Sequence, residues 1–263
     1  MIIDVHAHIF PDAIAEKASA HIAKFYDIPM NADGKLSTLL TMEKDAGVDK
    51  ILLCSAATTA HQTMAINDFT AQTVATHPGV LYGLAAMHQD FIDKGKEIER
   101  VRALGLKGVK IHPDIQGVAM NDPRFDELYE ALSQYEMPLL AHTGDMRYHN
   151  SNPPEFIDVL TRFPRLIVIG AHLGCWSNWS EGVKVLAKYK NVYVDCSSSL
   201  YALMPEQAKQ IFHGYGVERV LFGTDYPMWT PKVELTRLHA LGLTHSELEC
   251  VLYKNAQGLL GID

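Results

Sequence analysis

The chain has 263 residues, a length that α/β barrels routinely use for one domain. Hydrophobic residues make up 48% and charged residues 21%, which excludes a disordered chain, a collagen-like repeat and a disulfide-dense mini-protein. The formal net charge of -8 offers no basic surface for nucleic acid or for an anionic membrane.

The opening stretch, MIIDVHAHIF, has no basic segment ahead of an apolar run and does not read as a signal peptide. No window approaches the roughly 18 consecutive apolar residues of a transmembrane helix, so no membrane partner is expected. Cys54, Cys175, Cys196 and Cys250 lack CxxC spacing and fit free thiols in a reducing, cytoplasmic setting.

In chain order, short apolar or β-branched runs alternate with longer segments of helical periodicity. The runs are IIDV (2–5), KILLCS (50–55), VLYGLAAM (80–87), LKGVKIH (106–112), PLLAH (138–142), LIVIGAH (166–172), VYVDCS (192–197) and RVLFGTD (219–225), eight strand candidates. Between them the periodicity predicts helices over 36–47, 65–77, 93–105, 123–136, 153–163, 179–189 and 205–216. Asn121-Asp122-Pro123 places a cap before a first-turn proline, and Gly47 and Gly105 end their segments. Strands alternating with helices of this length imply βαβ units and a parallel sheet. Eight such units without a composition break predict a single-domain (β/α)8 TIM barrel over residues 1–263. An open doubly wound sheet would need a Gly-rich phosphate turn after the first strand, where this chain reads HAHIFPD.

Barrel enzymes gather their reactive groups at the carboxyl ends of the strands. Those ends carry His6 and His8, His112, His142, His172 and Asp225. Side chains alternate along a strand, so His6 and His8 share a face and form a bidentate clamp for a divalent cation. His142 can add a third nitrogen and Asp225 a carboxylate oxygen, leaving a position for water, the donor set of a catalytic zinc-type site. An HxH pair alone is common in structural settings. The conjunction at one barrel mouth is what points to a metal.

The segments DVHAHIF, GLKGVKIHP, AHTG, AHLG and FGTDYP, in order through the whole chain, resemble the amidohydrolase superfamily. They are most similar to its amidohydrolase-related branch, which includes metal-dependent hydrolases and aminocarboxymuconate-semialdehyde-type decarboxylases. The resemblance implies that His6, His8, His142 and Asp225 hold one divalent ion, usually zinc, with His172 beside the reacting water as base or orienter. Binuclear relatives bridge two metals with a modified lysine or a glutamate ending strand four. Here Lys110 and His112 share that strand's parity and His112 is outermost, which favours one metal. Lys110 otherwise reads as a barrel-interior lysine needing a carboxylate partner, and Asp4 is the candidate on inward parity.

Arg147, Trp176 and Tyr226 follow strands five, six and eight and, with Lys110 and His112, are candidate substrate contacts. A guanidinium beside aromatics suits a carboxylate-bearing or aromatic substrate, although these side chains read equally well as loop packing. Cys175, three residues after His172, reads as a bystander thiol.

The leading expectation is a metal-dependent hydrolase acting on a small ester, lactone or amide, with Asp225 as proton acceptor and His172 orienting the nucleophile. The alternative is a metal-dependent non-oxidative decarboxylase of a small aromatic or enol-type acid, and a remote one is a non-catalytic metal-binding protein. Barrels of this branch commonly pair, so a homodimer is the expected assembly.

Overall fold

The computed structural model describes residues 1–262. Each apolar run forms a strand: β1 (Ile3–His8), β2 (Lys50–Cys54), β3 (Leu81–Gly83), β4 (Ala85–Ala86), β5 (Val109–Ile111), β6 (Leu139–Ala141), β7 (Val168–Gly170), β8 (Val192–Asp195) and β9 (Val220–Leu221). The runs lack polar alternation because these strands are buried on both faces, as parallel strands under helices must be.

All neighbouring strands pair in parallel, in the orders β1-β2-β3 and β4-β5-β6-β7-β8-β9. β3 and β4 are two stretches of one stave, interrupted at Leu84: Lys107 N donates to Gly83 O at 2.8 Å and Ala85 N to Gly108 O at 2.9 Å. The ring closes where Val5 N meets Phe222 O at 3.0 Å, Asp225 N meets His6 O at 2.7 Å and His8 N meets Tyr226 O at 2.7 Å. The result is a (β/α)8 barrel.

A bulge in β1 decides what the barrel holds. Asp4 pairs with Ile51 and Ala7 with Leu53, so Val5 and His6 together oppose one residue of β2. Ile3 and Val5 therefore join Leu52, Leu140, Ile169 and Leu221 in the interior floor, sealed below by Ala256, Leu260 and Ile262. Beyond the bulge, His6 and His8 face the mouth. Asp4 falls on the other face, beside Glu43, and bonds Thr224. The expectation of Asp4 as an inward partner for Lys110 fails for this reason.

Helices Leu36–Ala46, Gln62–Thr76, Lys94–Ala103, Asp126–Tyr135, Pro153–Arg162, Trp179–Leu186 and Pro205–Tyr215 lie where the periodicity predicts, within a few residues. Their apolar stripes pack on the outer strand faces in one continuous layer. A further helix, Ala15–Tyr26, has no counterpart in the expected pattern. Only Ala15 and Ser19 of it are buried, so it shows no core-facing stripe; it leans over the mouth instead. No helix among the described residues is long and apolar enough to cross a membrane.

Candidate active site

β1 runs through His8 rather than stopping at Val5, because His8 still pairs with Cys54 of β2. This holds both imidazoles on a rigid strand. Their Nε2 atoms are 3.2 Å apart, and Asp225 Oδ1 stands 3.6 Å from His6 and 3.3 Å from His8. Donors 2.0–2.1 Å from one tetrahedral ion lie about 3.4 Å from each other, so the triangle has the size of one coordination face.

β9 ends at Leu221, four residues before Asp225, and the intervening chain stays pinned to β1 by the closing bonds. A Cβ at Gly223 would come within 3.0 Å of His6 Cβ, so glycine there permits the close approach. Asp225 and His172 both adopt left-handed backbone, at φ 60° and 59°, conformations that non-glycine residues hold at a cost where the surroundings enforce them. Ser198 Oγ donates to Asp225 Oδ2 at 2.5 Å and receives Trp229 Nε1–H at 2.9 Å.

The protonation pattern of the triangle is set from behind. Asp195, at the end of β8, accepts His6 Nδ1–H on Oδ2 at 3.0 Å. Its Oδ1 accepts Ser197 Oγ–H at 2.5 Å, Ser197 N–H at 3.0 Å and His172 N–H at 3.3 Å. Burial opposes ionisation of Asp195, but the attraction of His6 and these donors hold its pKa down at about 2. With Nδ1 held by Asp195, His6 turns Nε2 to the triangle, and that nitrogen would bind an ion by giving up its own proton, the orientation a metal ligand requires. Lys110 Nζ lies 3.1 Å from that nitrogen. Burial and Lys110 disfavour the His6 imidazolium, yet Asp195, Cys54 and Asp225 outweigh them and raise its pKa to about 10. Burial likewise opposes ionisation of Asp225, and the imidazoles around it hold its pKa far below the usual carboxylate range. A site this hungry for positive charge suits a cation.

His142 and His172 form the adjoining wall. His172 Nδ1 donates to Ser197 O at 3.1 Å, which turns Nε2 toward His142 Nδ1, also 3.1 Å away. Burial keeps His172 neutral, with a pKa near 4, and pushes His142 and His112 well below the ordinary imidazole range. His142 thus meets the triangle through His172. Its Nε2 is buried without a hydrogen-bond partner, 3.5 Å from Asp114 Oδ2. Burial, then Asp145, raises the Asp114 pKa to about 7.

The candidate substrate contacts divide. Lys110, 1% exposed, and His112, 6% exposed, line the same cavity as His6, His8, His142, His172 and Asp225. Trp176 borders a small side recess with Tyr26 and His142. Arg147 is not part of the cavity wall: its Nε and Nη2 are held by Asp145, its Nη1 by Phe25 O, and its plane stacks among Phe25, Tyr26, Tyr148 and Trp176. It fastens the mouth helix instead. Tyr226 is fully buried, with its hydroxyl on Lys35 O and Asp33, and also leaves the mouth. Cys175 is buried and its pKa is pushed up to about 12 by that burial, as a bystander's would be.

Residues 3–262 match the family model described as Amidohydrolase. The chain belongs to the amidohydrolase family. As a member of that superfamily it is an enzyme. Decarboxylase orsB of Emericella nidulans is 30% identical over 129 residues, covering 40% of this chain and 37% of that protein. The match thus spans little more than a third of that relative. The uncharacterized TIM-barrel protein Bb4693 of Bordetella bronchiseptica superposes with a TM-score of 0.81 at 20% identity, over 99% of this chain and 98% of that one. A dihydroxybenzoic acid decarboxylase from Polaromonas sp. JS666, solved with manganese and the inhibitor 2-nitroresorcinol, superposes at 0.73 with 16% identity, over 99% and 96%. At these identities the two structures speak for the fold.

Three groups around this amidohydrolase mouth escaped the sequence reading. Asp195 ends β8 as the histidines end their strands, so the strand-end rule could have found it. Tyr26, whose hydroxyl lies 2.6 Å from His112 Nε2 and 3.4 Å from His142 Nδ1, comes from the unexpected helix and left no signal. Cys54 Sγ, 3.7 Å from His8 Nδ1, is placed by the register of β2.

Proposed function

We propose that the protein is a divalent-metal-dependent, non-oxidative decarboxylase of a small aromatic or enol-type carboxylic acid. The observation that carries this reading is a cation-sized donor triangle, with Lys110 beside it, opening onto a cavity whose outer wall is apolar. His6, His8 and Asp225 would hold the ion, with His142 as a fourth donor. Zinc suits this nitrogen-rich set, and other first-row ions compete for it. An ion held there would supply Lewis acidity to the substrate's carboxylate.

The remaining work falls to side chains. Lys110 Nζ, at the base of the cavity, donates to an oxygen of the substrate. His172 offers its unprotonated Nε2 to the substrate's hydroxyl and orients the ring. Asp225 takes the hydroxyl proton and hands it to the carbon bearing the carboxylate. Its depressed pKa makes it a strong acid whenever it carries a proton. The carbon–carbon bond then breaks, its electron pair returns through the conjugated system to the oxygen, and carbon dioxide leaves. Solvent restores the hydroxyl proton. An apolar wall favours this loss of a localised charge and excludes water that would solvate the carboxylate.

The partial match to decarboxylase orsB supports the same reading. The hydrolase expectation uses the same donors but gives the apolar wall no role. The test is metal-reconstituted protein supplied in parallel with hydroxybenzoates and with lactones and esters. Release of carbon dioxide, lost on chelation while the far-ultraviolet spectrum is unchanged, is the expected result. Hydrolysis of a lactone or ester with no carbon dioxide from any acid would overturn the proposal.

A further inference from the structure

The cavity extends well beyond the polar cluster at its base. Its volume is about 670 Å³, within the range of pockets that enclose drug-sized ligands, and a one-ring acid would leave most of it empty. The outer wall is built by Ile14, Ile22, Met30, Ile66 and Phe69, from the cap and body of helix Ala15–Tyr26, the segment that follows it, and helix Gln62–Thr76. These side chains are incompletely buried, and Ile14 at the rim is 50% exposed. Large aliphatics facing an open cavity gain from an apolar occupant that removes them from water.

The cations are distributed to match. Lys110 stands at the base, while the outer wall offers only the exposed Lys17 and His21 at the rim. Arg147, the nearby guanidinium, is engaged by Asp145 and Phe25 O outside the cavity. A second carboxylate in the outer half would lie against isoleucine, methionine and phenylalanine, with Ser55, Thr58 and Gln62 as the neutral polar groups of the lining and no buried cation to pair with, at a desolvation cost.

We infer that the substrate is a monocarboxylic acid whose reacting end meets the donor triangle and Lys110, and whose other end is an extended apolar group seated on Ile14, Ile22, Met30, Ile66 and Phe69. The reacting end rests on the decarboxylase reading; the apolar extension rests on the cavity wall alone.

The experiment measures binding to the zinc-loaded enzyme by calorimetry. The probes are 4- and 5-alkylsalicylates with chains of one to six carbons, and 2-hydroxyterephthalate, which puts a carboxylate where the 4-alkyl chain would be. In at least one series affinity rises by up to about fourfold per added methylene, the equivalent of ~0.8 kcal/mol of apolar burial. The dicarboxylate binds at least about tenfold more weakly than 4-methylsalicylate. Ile22→Asn and Ile66→Asn, with circular dichroism and metal content checked against wild type, flatten the dependence on chain length. Flat affinity in both alkyl series, or tighter binding of the dicarboxylate, overturns the inference. Chain-length-dependent binding without carbon dioxide release supports the apolar subsite and counts against the decarboxylase reading. Carbon dioxide release with flat chain-length dependence does the reverse.

Discussion

Asp195→Asn should disable the metal site without touching a ligand. Asp195 Oδ1 accepts three donors, from Ser197 Oγ, Ser197 N and His172 N, and Oδ2 accepts one, from His6 Nδ1. An asparagine must keep its oxygen where three hydrogens converge, so its amide nitrogen faces His6. Either two N–H groups then oppose each other at about the present 3.0 Å separation, or His6 moves its hydrogen to Nε2. The second outcome puts a hydrogen on the nitrogen that should bind the ion. Losing an orienting carboxylate behind a ligating histidine typically costs 10–100-fold in affinity. A forced wrong tautomer belongs at the upper end, roughly 100-fold or about 2.7 kcal/mol. Zinc competition titrations at neutral pH, with circular dichroism to confirm the barrel, read this directly. Asp195→Ala, which leaves room for water to accept from Nδ1, should lose less. Native zinc affinity in Asp195→Asn would refute the tautomer argument, and equal losses in both variants would show that only packing matters.

The paired change His6→Ala with His8→Ala should remove the ion while the far-ultraviolet spectrum stays barrel-like; full metal occupancy by elemental analysis would sink the ligand assignment. His172→Asn should keep the metal and lose roughly 100-fold in turnover, the scale of a lost positioning or acid–base group, and a parallel fall in occupancy would make His172 a ligand. Glu43 is buried with neither carboxyl oxygen hydrogen-bonded, and burial, then Asp4, raises its pKa well above the ordinary range. The folded state therefore keeps a proton that the unfolded chain releases above its usual pKa, so stability falls as pH rises past ~4.5. Glu43→Gln removes that fall, and its advantage in unfolding free energy, read by denaturant titration, should widen from pH 5 to pH 8 by at most about 1.4 kcal/mol per pH unit; parallel curves for the two proteins would exclude the buried proton.

The barrel was legible because each stave is a continuous apolar run and most helices carry a stripe that packs on it. Both are local patterns, and the register between them hardly matters to recognition. The polar groups of the cavity were legible for a related reason: strand ends are where a barrel exposes polar groups, so His6, His8, His142, His172 and Asp225 could be collected at one mouth without knowing any distance. Asp4 shows where that reasoning stops. Counting parity along β1 puts it on the inner face, but the bulge between Asp4 and Ala7 inserts one residue and reverses every assignment before it. Nothing in IIDVHAH marks the bulge.

Arg147 and Tyr26 fail differently. Asp145 takes φ 98°, and this turn brings its carboxylate back onto Arg147 two residues on, so the guanidinium is neutralised before a substrate can meet it. Gly144, at φ 84° with a hypothetical Cβ only 2.2 Å from Trp176 N, allows that turn to lie against the next loop. Arg147 then holds Phe25 O, and with it the end of the helix that delivers Tyr26 to His112. A residue expected to grip the substrate therefore builds the wall that the substrate faces. The same division runs through the candidate metal site. The donors are read from strand ends, but their protonation is decided by contacts such as His6 with Asp195, 189 residues apart, which exist only once the barrel closes. Donor identity is thus a property of the local sequence, and donor chemistry is a property of the fold.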